Sequence, residues 1–230
     1  MARHTRHLER EIEKLKNKIL SLGTMVEESV QKAVKSLTER NSSLGLKVID
    51  SDIVIDDMEV EVEEECLKIL ALHQPVANDL RLMVAILKIN NDLERIGDLA
   101  VNIAERAVFL ATQEKIEIPE DLGKMVRKTQ VMLKGSLDAM VNGDSILARE
   151  ICAADDEVDE INRKMYVQVG KTMRSQPERL DCLIHLLSAS RYLERVADHA
   201  TNIAEDVIYL VEGDIIRHRR IAKTENQDGS

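Results

Sequence analysis

Apolar residues recur along this chain at steps of three and four, the spacing of a helix packed along one side. The first run, Leu8, Ile12, Leu15, Ile19, Leu22 and Val26, predicts a long helix that ends near Asn41, where Ser42 or Ser43 can cap the next. A second run, Val48, Ile55, Met58, Val62, Cys66 and Ile69, stops before Pro75, because the residue ahead of a proline is pushed out of the α region. A third helix is expected from Pro75 to Val76 onward, with Asp79 in its first turn facing the helix dipole. Breaks at Ile118-Pro119-Glu120, Asn142-Gly143-Asp144 and Ser175-Gln176-Pro177 divide the remainder into three more helices.

The sixth run, Ala189, Leu193, Val196, Ala200, Ile203, Val207 and Leu210, matches the third, Ile89, Leu93, Ile96, Ala100, Ile103, Ala107 and Leu110, at an offset of 100 residues. Ten of eighteen positions are identical between residues 93–110 and 193–210, among them the polar Glu94/Glu194, Asn102/Asn202 and Glu105/Glu205. Helix packing alone would repeat an apolar seam but not its polar flank, so the chain is read as a duplication. The expected fold is all-α: two tandem, internally duplicated three-helix bundles made of six long helices. Residues 1–114 form the first bundle and 115–216 the second, and 217–230 form a basic, then disordered, tail. Gln74-Pro75 and Gln176-Pro177 mark the same corner in both halves.

Composition agrees with this architecture. Of 230 residues, 44% are hydrophobic and only 2% aromatic, with three prolines and nine glycines, too few turn-formers for a sandwich or barrel. A net charge of -10 disfavours nucleic acid and anionic lipid as partners, apart from small basic patches at Arg3 to His7 and at Arg217 to Arg220. Cys66, Cys152 and Cys182 are far apart and form no CxxC, which predicts reduced, packed thiols in a cytoplasmic protein. Neither a membrane span nor a signal-peptide core is read in the sequence.

The candidate chemistry lies in acids spaced four apart, which share one helix face. Glu94/Asp98 recurs as Glu194/Asp198, and Asp52/Asp56 in the preceding helix recurs as Asp155/Asp159. An antiparallel neighbour would gather four carboxylates in each half, on the flank beside the core. Repeated like charges point to an external cation, and oxygen ligands without Cys fit Mg, Ca, Mn or iron. A solvated charged face is the competing reading. A di-iron site of the ferritin type is not suggested, since no Glu-x-x-His occurs. His199 is read as structural or solvent-facing because Leu99 occupies its place in the first half, and His73 and His185 as helix-packing residues. Asn102, Asn202, Glu105 and Glu205 extend the acidic flank, either as support for the ligands or as ordinary helix-surface polarity. No nucleotide-binding loop, zinc-protease helix or nucleophile elbow is present, and the chain is expected not to be an enzyme.

Three stretches carry a family resemblance: 72–81 (LHQPVANDLR), 93–105 (LERIGDLAVNIAE) and 193–205 (LERVADHATNIAE). They resemble the PhoU family of phosphate-uptake regulators, over about residues 5 to 220. The resemblance implies an Asp/Glu-x-x-x-Asp motif that holds metal ions in multinuclear clusters, and it falls on Asp52/Asp56, Glu94/Asp98, Asp155/Asp159 and Glu194/Asp198. It also implies negative regulation of phosphate import and of phosphate-starvation genes, by an adaptor between the ATPase subunit of a phosphate ABC transporter and a sensor histidine kinase. A homodimer is expected, reaching the membrane only through partners. Gly97 against Ala197 and Leu99 against His199 are the departures, and they predict clusters of unequal ligation. A metal-dependent phosphoester hydrolase and a plain helical scaffold are the alternative functions.

Overall fold

In the computed structural model of the chain, residues 2–213 are described, with side chains from His7 onward. The tail expected at 217–230, its Arg217 to Arg220 patch and the basic side chains before His7 lie outside them. Six helices follow one another: α1 Ala2–Glu39, α2 Ser42–His73, α3 Asn78–Thr112, α4 Glu120–Asn142, α5 Ser145–Ser175 and α6 Leu180–Glu212. A single 3-10 turn, Pro177–Arg179, precedes α6, and no strand occurs among the described residues. The two bundles of the expected fold are present, α1 to α3 and α4 to α6.

The helix ends follow local chemistry. Asn41, not Ser42 or Ser43, caps α2: its side-chain oxygen accepts from the Leu44 N–H at 3.0 Å. Asp144 caps α5 by accepting from the Ile146 and Leu147 N–H groups, each at 3.0 Å. Gly143 ends α4 and Gly213 ends α6, both in the left-handed conformation that glycine adopts without a Cβ clash. The third helix begins at Asn78, later than the sequence suggests, because Gln74 (φ 46°) and Ala77 (φ 50°) are both left-handed and hold the corner open. The second Gln-Pro corner is built differently, by the 3-10 turn, so the two corners correspond in sequence but not in backbone.

The predicted seams are buried apart from the half-buried Leu8, Met58 and Leu210: Leu93, Ile96, Ile103, Leu193, Val196 and Ile203 are all 0% exposed. They belong to one hydrophobic core that runs through both bundles. The bundles join because α3 packs on α6 as extensively as on α1 and α2. The pair is antiparallel, fixed by Lys88 to Asp206 (3.0 Å), Asp92 to Asn202 (3.2 Å) and the stacked rings of Phe109 and His185 (3.7 Å between centroids). Arg81 and Lys88 lie over the Tyr209 ring, at 5.8 and 5.2 Å, and tie down the end of α6. Cys66 and Cys182 are buried and Cys152 half-buried, all three as free thiols.

Close helix approach depends on Gly45, where a Cβ would stand 2.8 Å from both Ser36 Oγ and Val108 Cγ2 and 3.2 Å from the Ala104 carbonyl. Val108 is β-branched and the carbonyl belongs to α3, so neither yields easily. Gly45→Val should destabilise the protein by about 3 kcal/mol in thermal or urea unfolding. Gly170 has no atom near the site of a Cβ. Gly170→Ala should therefore stabilise by about 0.5 to 1 kcal/mol through helix propensity alone.

Candidate functional site

Because α2 and α3 are antiparallel neighbours, Asp52 and Asp56 face Glu94 and Asp98 as the sequence predicts. Burial first, then the charges of Asp56, Asp98 and Glu94, push the Asp52 carboxyl up to about 6. Its Oδ1 is buried and accepts no hydrogen bond. Gly97 lies against it across the helix pair: a Cβ there would be in ordinary contact with that oxygen at 3.7 Å and tight only against Ile55, at 3.2 Å. Glu94 is likewise raised by burial and by Asp98. Arg95 is the local counter-charge, 3.2 Å from Glu94 and 3.3 Å from Asp98.

The second cluster repeats the plan with tighter convergence. Carboxylate oxygens of Asp159, Glu194 and Asp198 lie within 4.8 Å of one another. Asp155 stands behind them, raised by burial and by Asp159. Burial, then Glu194, Asp155 and Asp159, push Asp198 up to about 6, although its outer edge is open to solvent. Glu194 is raised by burial and by Asp159. Arg163 reaches Asp159 at 3.5 Å from outside the cluster.

Two residues that sequence reasoning passed over extend the first cluster. Asn90, 1% exposed, donates from Nδ2 to Glu59 Oε1 (2.8 Å) and to the Glu59 carbonyl (3.0 Å). This holds Glu59 beside Glu94, to whose raised pKa it contributes. Spacing was the available signal, since Asp52, Asp56 and Glu59 continue one helix flank and Asn90 precedes Glu94 by one turn. In the second half Asn162 and Ser190 replace the pair, joined at 2.7 Å without a charge.

The supporting polar residues divide. Asn102 donates back to the Asp98 carbonyl at 2.9 Å, whereas Asn202 turns to Asp92 in the other bundle. Asp92 also holds His199 Nδ1 at 2.8 Å, which gives His199 the structural role expected of it. His185 packs on Phe109 and His73 lies edge-on to His7, 5.9 Å between centroids. Burial pushes the thiols of Cys66 and Cys152 up to about 12, so neither is a ready nucleophile.

The PhoU domain model matches residues 19–107 and again 122–207, one match to each bundle. The chain belongs to the PhoU family. It is 36% identical over 212 residues to a phosphate-specific transport system accessory protein PhoU homolog of Aquifex aeolicus, covering 92% of this chain and 96% of the relative. Identity to the homolog of Pseudomonas aeruginosa is 38% over 213 residues, covering 90% and 86%. The crystal structure of PhoU from Pseudomonas aeruginosa superposes with a TM-score of 0.88 at 36% identity, covering 90% of this chain and 99% of that one. The phosphate transport system regulatory protein PhoU from Streptococcus pneumoniae gives 0.84 at 28% identity, covering 90% and 98%.

The metal that a PhoU fold implies fits the donor set. Each cluster offers only hard carboxylate oxygens, with burial and crowding that raise the pKa values of Asp52, Glu94, Asp155, Glu194 and Asp198, and in the first an orphaned oxygen faces the helix interface. The charge crowding carries a testable consequence for the metal-free chain. A carboxyl with a raised folded pKa stabilises the fold at low pH, and that stability is lost as pH rises through the folded value. Chelator-treated protein should therefore melt roughly 2 to 5 °C lower at pH 7.5 than at pH 5. Asp52→Asn and Asp198→Asn should each raise the melting temperature at pH 7.5 and flatten the slope. Scanning calorimetry across this window checks both, and an unchanged slope in the two variants would refute the assignment.

Proposed function

We propose that this protein is a negative regulator of phosphate uptake and of phosphate-starvation gene expression, working as a metal-binding adaptor in the cytoplasm. The observation that carries the reading is similarity over about nine-tenths of the chain to proteins named as phosphate-specific transport system accessory proteins. The partners proposed are the ATPase subunit of the phosphate ABC transporter and a phosphate-sensing histidine kinase, with the chain acting as a homodimer. No helix among the described residues is long and apolar enough to cross a membrane, which fits contact with the membrane through those partners.

Residues 1–114 and 115–216 are proposed as the two units, each with one cation site. Asp52, Asp56, Glu94 and Asp98 hold the first, and Asp155, Asp159, Glu194 and Asp198 the second, for iron, Mn, Mg or Ca. A bound cation supplies the positive charge that lets each helix pair keep its facing acids ionised at neutral pH. Arg95 must swing off Glu94 and Asp98 to admit it, whereas Arg163 touches only the rim of the second cluster. The second site should accordingly load first. The acids act here by binding and shaping helical faces, and metal-loaded protein should be inert toward model phosphoesters.

The test is alkaline phosphatase activity in phosphate-rich medium. A deletion strain should show high activity that wild-type protein represses and that Glu94→Ala/Asp98→Ala and Glu194→Ala/Asp198→Ala variants do not. Elemental analysis of the purified proteins should show metal lost from the substituted cluster. A deletion strain that stays repressed, complemented or not, would refute the regulatory reading, and equal metal content in the variants would refute the sites.

A further inference from the structure

The duplication supplies an internal control for the outer face of α2. Leu46, Ile53, Val60 and Leu67 follow one another at intervals of seven residues and are 50, 60, 49 and 52% exposed. They form one line about 32 Å long at 1.5 Å per residue. It lies opposite the buried seam Val48, Ile55, Val62 and Ile69. The fold does not require them. In α5, which aligns with α2 through Asp52/Asp155 and Asp56/Asp159, the same four positions are Arg149, Asp156, Arg163 and Gly170. That helix still exposes Ile146, Tyr166 and Val167, but not as a continuous row.

Charge narrows the choice of what covers the row. Helix α2 carries nine acids against Lys47 and Lys68. Asp50, Asp57 and Glu64 run alongside the apolar row, all exposed and without an ion pair among the described residues. Two copies of this face would set carboxylate against carboxylate, and an anionic lipid surface would be repelled in the same way. An apolar row at heptad spacing with acids beside it is complementary to a helix bearing an apolar seam flanked by Lys and Arg.

We propose that the outer face of α2 is a docking surface for a basic amphipathic helix of a partner protein. The row borders the first carboxylate cluster at Asp56, one turn from Ile53 and from Val60, but it is itself apolar and requires neither phosphate nor metal, so its test can fail while the regulatory reading survives, and the reverse.

The probe is a fluorescent synthetic helix of about 28 residues, with Leu at its first and fourth heptad positions and Lys at the flanking ones. Full-length protein should bind it, and the affinity should fall about tenfold or more in Ile53→Lys/Val60→Lys and when salt is raised from about 0.1 to 0.5 M. Leu46→Lys/Leu67→Lys should weaken binding similarly, and Arg163→Ala on α5 should leave it unchanged. All four positions are exposed, so circular dichroism should show intact helix in these variants. A Glu-flanked version of the peptide should not bind. Failure of the Lys-flanked peptide to bind, equal binding by both double variants, or equal binding of the Glu-flanked peptide would overturn the proposal. So would a dimer, seen by sedimentation, that the double variants dissolve, because it would make a second copy the occupant.

Discussion

The contact between α3 and α6 constrains everything else in this molecule. Each of these helices packs against two neighbours in its own bundle and against its counterpart in the other. A helix covered on three sides has one narrow flank left, and polar side chains that must stay near the core can leave only there. Glu94 and Asp98 on α3, and Glu194 and Asp198 on α6, occupy that flank. Their partial burial follows from the packing, and the raised pKa values of Glu94, Glu194 and Asp198 follow from that burial beside neighbouring acids. The clusters are a product of helix packing as much as of composition.

The same contact breaks the equivalence of the duplicated halves. Lys88, Asp92, His199, Asn202 and Asp206 form a polar network at one end of the interface, with Asp92 6% and Asp206 2% exposed. At the other end, Phe109 stacks on His185. Buried charges of this kind contribute little net stability but are costly to leave without partners, so they disfavour any other register of the two helices. A register slip would move the acid pairs relative to α2 and α5. The network therefore serves the clusters indirectly, by fixing where α3 and α6 stand.

Helix number, order and the buried seams were legible because long-helix periodicity is a local property with many repeats. The eight acids were legible because duplication turned a common i,i+4 pattern into a recurrent one. Asp92 was not: it lies beside the α3 seam, and only the arrival of another bundle converts its position into a buried one. Glu59 was missed for a related reason, since nothing in its own helix shows that Asn90 of α3 will hold it. The left-handed backbone of Ala77 also escaped notice, because alanine gives no sign of positive φ and the corner, rather than the residue, imposes it. What sequence withheld in each case was a contact between elements.

Positions where the two halves agree mark what the shared architecture requires: the seams, the Gln-Pro corner and the carboxylate quartets. Positions where they differ are where each half has been free to specialise. The first half adds Glu59 to its cluster, which the second replaces with Asn162, and the shared arginine is used differently: Arg95 bridges both α3 acids, whereas Arg195, with Arg191, acts on Glu194 without an ion pair among the described residues and Arg163 reaches Asp159 from the edge. The first cluster holds Glu59 and an arginine paired with two of its acids, whereas in the second three carboxylates have already converged. The apolar row on α2 and its charged replacement on α5 belong to the same division. One bundle therefore combines the less converged carboxylate cluster with an outward face unlike that of its twin, and α2 supplies acids to the one from its inner flank while presenting the other to solvent.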